Sequence, residues 1–104
     1  MRVILDECLP RKFALELVGH NVTTVPKEGW AGILNGCLLA LIDGNFDAFI
    51  TVDKNLLAQQ KKDTLSFGVV VLRTPSNRLK DLRPLIPAVL SALTTLKPGQ
   101  VAVV

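Results

Sequence analysis

The stretch Ala48-Phe49-Ile50-Thr51-Val52-Asp53 decides the fold. Its uncharged run, mostly β-branched or aromatic and closed by a carboxylate, reads as a strand buried on both faces. That pattern belongs to a parallel sheet covered by helices. Arg2-Val3-Ile4-Leu5-Asp6-Glu7 repeats the arrangement near the start of the chain, and Gly68-Val69-Val70-Val71-Leu72 gives another such run. In an open α/β sheet, ligands bind in the crevice beyond the carboxyl ends of the strands. Acids that close two buried strands therefore meet at one end of the sheet. Carboxylates brought together repel unless a cation lies between them, and hard oxygen donors select Mg²⁺ or Mn²⁺. Asp6 and Asp53 are the primary candidates. Glu7 is a candidate to hold a bound water or act as a base, although neighbours on a strand alternate in direction and do not share a face by default.

Outward from these runs, strand and helix signals alternate. Pro10 opens a helix near residues 10–18, with Leu9, Phe13, Leu17 and Val18 as its apolar face and Gly19 as its stop. Asn21 to Val25 reads as a strand ended by Pro26, followed by a loop with Gly29, Trp30 and Gly32. Asn35 reads as the N-cap of a short helix through Ile42, and Asp43-Gly44-Asn45 as a turn into the strand at 48–52. Leu56-Leu57 and Lys61-Lys62 fall in a short helix and loop after Asp53. Leu79 to Leu96 carries helical spacing, which Pro84 and Pro87 kink or delay. Pro98-Gly99 turns the chain into a last short strand, Val101 to Val104. The alternation predicts an α/β fold with a mostly parallel, helix-covered sheet.

A chain of 104 residues, 49% hydrophobic and 20% charged, suits one compact domain rather than a disordered segment. The net charge of +3 favours an anionic partner. No apolar stretch reaches the roughly 18 residues of a membrane span, and the start of the chain turns acidic too early for a signal peptide. A cytoplasmic protein with no membrane partner is expected. Cys8 and Cys37 are isolated, without the spacing of a zinc site, and read as reduced thiols.

Leu5-Asp6-Glu7-Cys8-Leu9-Pro10, Gly19-His20-Asn21-Val22, Gly29-Trp30-Ala31-Gly32, Thr51-Val52-Asp53-Lys54-Asn55-Leu56 and Ser76-Asn77-Arg78-Leu79 together resemble the PIN-like domains. Specifically, they resemble the short stand-alone branch related to VapC-type toxin ribonucleases. The motifs are short, but their order runs through nearly the whole chain. The resemblance implies a single PIN-like domain over residues 1–104, a three-layer α/β/α fold with a sheet of four to five strands, and Mg²⁺- or Mn²⁺-dependent cleavage of RNA. It also implies a toxin paired with a cognate antitoxin protein, and a possible homodimer. Asp6 and Asp53 match two of the family's acids. Arg11, Lys12, Lys54, Arg73 and Arg78 would then grip phosphate, a largely electrostatic and salt-sensitive contact.

The chain departs from that pattern in one place. Relatives carry acids at the start of the helix before the third strand, where this chain reads Asn35-Gly36-Cys37. Asn35 would ligate through a neutral carbonyl, and the sulfur of Cys37 is soft where the ion is hard. The alternative is a catalytically weakened PIN-like domain that binds RNA or protein. A remoter one is a receiver-like phospho-acceptor domain, which also needs acids after the first and third strands. Thr74 fits that pattern, but Lys97-Pro98 precedes the last strand rather than following it.

Overall fold

A strand that is apolar at every position needs cover on both faces. The computed structural model, which describes residues 1–54 and 65–104, provides that cover around a five-stranded sheet. The strands are β1 (Arg2–Leu5), β2 (Asn21–Thr24), β3 (Ala48–Thr51), β4 (Gly68–Val71) and β5 (Val101–Val103). Their order is β2-β1-β3-β4-β5, and every neighbouring pair is parallel. The helices described are α1 (Phe13–Glu16), α2 (Asn35–Ile42), α3 (Leu79–Leu82) and α4 (Ile86–Thr95). A 3-10 turn at Arg83–Leu85 joins the last two. This is the α/β architecture that the buried runs predict. No helix among the described residues is long and apolar enough to cross a membrane.

Alternation along the strands sorts the core into two layers. On the first face, Val3, Leu5, Ala48, Ile50 and Val70 pack with Phe13, Leu82, Val89 and Leu93 of the helices. On the second, Ile4, Phe49, Val69 and Val71 meet Leu38, Leu39 and Ile42 of α2. β3 and β4 are buried at all four positions, as their composition requires.

The faces also fix the hand of the crossovers. The chain passes from β1 to β2 over the first face through α1, then from β2 to β3 in the opposite direction over the second face through α2. Two reversals cancel, so these connections share one hand. From β4 to β5 the chain moves in the same direction as from β2 to β3, yet α3 and α4 lie on the first face. That connection therefore has the other hand, although parallel crossovers are right-handed in about 98% of cases.

Several elements differ from their predicted bounds. The segment expected as a helix over 10–18 forms only the single turn of α1. The amides of Phe13, Ala14 and Leu15 bond three residues back, to Pro10, Arg11 and Lys12, at 3.0–3.1 Å. Such tight turns do not propagate. α2 begins at Asn35, but its N-cap is Leu34 in extended conformation, so Asn35 is the first helical residue rather than the cap. The long C-terminal helix divides at Arg83–Leu85, where Pro84 has no amide to donate. The short helix and loop predicted for Leu56-Leu57 and Lys61-Lys62 lie outside the described residues.

At the amino end of the sheet, Asp43 ties the turn after α2 to the approach to β4. Its carboxylate accepts from both the amide and the hydroxyl of Ser66, and these bonds lower its pKa below the ordinary 3.8. Gly68 opens β4 because Leu96 lies against it: a Cβ there would stand 2.3 Å from Leu96 Cγ. Two outcomes are expected. Gly68→Ala should lower the urea midpoint by an equivalent of about 1–3 kcal/mol, since the clash is with a packed side-chain branch point. Asp43 is more acidic folded than unfolded, so its contribution is complete above pH 3.8 and is lost as pH falls through its lowered folded pKa. Ser66→Ala should therefore flatten the decline of Tm below that pH, read by circular dichroism.

Candidate metal and phosphate site

The strand order reverses at β1, with β2 on one side and β3 on the other. At a reversal of this kind in an open α/β sheet, ligands bind in the crevice outside the carboxyl ends of the strands, and β1 and β3 lie side by side there. Asp6 is the first residue beyond β1, and Asp53 lies two beyond β3. The amide of Asp6 still donates to the Ile50 carbonyl at 2.9 Å, so the ladder carries Asp6 to the rim in register.

A buried hydroxyl joins the two acidic positions. Thr51 Oγ1 donates to Asp6 Oδ2 at 2.7 Å and accepts from the Asp53 amide at 3.0 Å. Thr51 is fully buried, so its one proton is committed to the carboxylate. The other oxygen of Asp6 accepts from the Glu7 amide at 2.8 Å. These bonds fix the Asp6 rotamer. Both Asp6 and Asp53 are half-buried.

Cys8 borders the same crevice. Burial pushes its thiol above the ordinary range; a backbone hydrogen bond to Val52 opposes this, and the nearby Asp6 charge adds to it. Burial and the acid beside it both disfavour the thiolate.

The other candidates are distributed around this pair. Glu7 Oε2 accepts from the Gly32 amide at 3.2 Å, which commits its carboxylate to the loop before α2. α2 connects β2 to β3 and so starts at the carboxyl end of the sheet, which brings the backbone of Asn35 to the same end; its side chain lies outside the described residues. Cys37 is exposed. Among the described residues, no three of His, Cys, Asp and Glu converge as metal ligands.

The cations collect at this end because each follows a strand or opens a helix. Arg11 and Lys12 precede α1, Lys54 follows Asp53, Arg73 follows β4, and Arg78 caps α3; all five are exposed. None forms an ion pair within the described residues, where the pair present is Arg83 with Glu16 at 3.3 Å. Asn77 Nδ2 donates to the Cys8 carbonyl at 2.7 Å and closes the loop after β4 onto the loop after β1. Arg73 and Arg78 flank that closure.

Thr74 and Lys97, which a phospho-acceptor reading needs beside Asp53, are apart. Thr74 Oγ1 donates to the Ser76 carbonyl at 2.6 Å at the carboxyl end, whereas Lys97 precedes β5 at the amino end. Sequence reading assigned no role to Thr51 or Asn77. The available signals were a lone hydroxyl inside an apolar strand and an amide in a tight polar turn. No protein-family model, curated protein or solved structure matches the chain.

Thr51→Val keeps the volume and removes the link between the acids. It should lower stability by about 1–3 kcal/mol, the cost of leaving a buried hydrogen-bonding partner unsatisfied. Urea unfolding should show this as a lower midpoint at an unchanged slope.

Proposed function

We propose that the chain is a metal-dependent ribonuclease of the PIN-like type, acting as the toxin of a toxin–antitoxin pair. The observation that supports it best is the Asp6–Thr51–Asp53 linkage in the crevice between β1 and β3. Two half-buried carboxylates suit Mg²⁺ or Mn²⁺, which bind proteins through one or two acids and complete their shells with water and substrate oxygens. Asp6 and Asp53 would hold the ion, with Asn35 as a neutral third donor. When bound, the cation would supply charge neutralisation at the phosphate and acidify a water. The chain's own part is positional. Thr51 orients Asp6, Asn77 holds the basic loop closed, and Arg73, Arg78 and Lys54 draw the RNA backbone toward the acids. Arg11 and Lys12 extend the cationic rim. An antitoxin partner and a homodimer accompany this reading through the family resemblance, and a cytoplasmic location through the composition of the chain.

A second reading keeps the PIN-like fold as an RNA- or protein-binding module without efficient catalysis. The turn Asn35-Gly36-Cys37, which brings no carboxylate to the start of α2, favours it.

Mn²⁺ calorimetry and cleavage of a fluorescent RNA separate the two. The ribonuclease reading expects Mn²⁺ binding and cleavage by wild type, both lost in Asp6→Ala with the fold retained. A silent wild type awakened by Asn35→Asp/Cys37→Glu supports the second reading.

A further inference from the structure

An open groove of about 800 Å³ runs between α1 and β2 and shares Arg11 and Lys12 with the cationic rim. Its floor is aliphatic, formed by Leu9, Ala14, Leu15 and Val22. Arg11, Lys12 and Lys27 stand along it, and no acidic residue lines it. Leu15 is 81% exposed and the neighbouring Val18 77%, an unusual concentration of bare aliphatic surface beside three cations. The acids nearby are engaged. Glu16 pairs with Arg83, and Glu28 accepts from the Thr23 hydroxyl at 3.1 Å.

The groove is bounded by a sheet edge. β2 is the terminal strand of the order, and its Asn21 and Val25 flank donates inward, to the Met1 and Leu5 carbonyls. Backbone groups alternate in direction along a strand, so the amides of Val22 and Thr24 point outward. The Thr24 carbonyl is taken by the Glu28 amide, which leaves a short edge centred on Val22.

We propose that this groove receives an acidic, aliphatic segment of a different protein, which pairs in extended form with the β2 edge. Charge selects the partner. The chain's own longest acidic run is Asp6-Glu7, and both carboxylates are already engaged, so a second copy has no segment to offer. RNA would find cations here but no aromatic ring among the lining residues on which to stack a base. An extended peptide uses all three features at once: main-chain bonds to the edge, aliphatic contacts with the floor, and carboxylates toward Arg11, Lys12 and Lys27. Neither Asp6 nor Asp53 lines the groove, so the inference stands apart from the acid pair, while it assigns Arg11 and Lys12 to the peptide as well as to the rim.

The test is an amide-resolved NMR titration of the intact chain with three probes: a short capped peptide alternating Glu and Val, its Lys/Val counterpart, and an oligouridylate of equal length. The Glu/Val peptide should shift the Val22 and Thr24 amides and slow their exchange, with binding that weakens as salt rises. Leu15→Asp and, separately, Lys27→Glu should each weaken it by about tenfold or more. Both sites are exposed, and an unchanged spectrum elsewhere reports an intact fold. No shift with the Glu/Val peptide, an equal response to the Lys/Val peptide, preferential perturbation of the same amides by oligouridylate, or the same shifts on self-association would each overturn the proposal.

Discussion

The inner strands of a parallel sheet covered on both faces can show polar side chains to a ligand only at their ends. That constraint governs this molecule. Val3, Ile4, Leu5, Ala48, Phe49, Ile50 and Val70 are sealed between two helical layers, so the first side chains free to meet water are those just past the strands. Asp6, Asp53 and Arg73 stand there because the chain has run out of core. The strand order sets β1 and β3 side by side at that end, and the residues at the rim decide what it can hold.

Opposite charges meet at this rim on different terms. The acids are half-buried and linked through a fully buried hydroxyl, whereas the cations are long, exposed and not paired with carboxylates among the described residues. Half-buried acids inside an exposed cationic border suit a ligand carrying negative charge at its periphery and positive charge at its point of attachment. Phosphate with a divalent cation is such a combination. The neutral start of α2 weakens the anionic half of it.

Much of the architecture was legible because burial leaves a compositional mark. Uninterrupted apolar runs gave β1, β3 and β4, and the acids closing them gave the position of the crevice. The extent of α1 was not legible. Its apolar spacing fits a helix, but three-residue hydrogen bonding at Pro10-Arg11-Lys12 is a backbone preference that spacing does not record. The one-residue error at Asn35 has a similar origin, since Leu34 caps with its backbone conformation and no side-chain bond. Thr51 was quoted as part of a motif and assigned no work. Its role depends on which residue stands across from it on β1, which register decides and local sequence does not.

The unusual hand of the β4-to-β5 connection bears on the ancestry of the fold. Layered α/β chains lengthen readily by duplication of a strand–helix unit, and a duplicated unit inherits the chirality of its template. The final unit differs in chirality from both the β1–β2 and the β2–β3 units, so it repeats the geometry of neither. Its helices nevertheless complete the same first-face core through Leu82, Val89 and Leu93. Shared burial, rather than repetition, joins that last part of the chain to the rest.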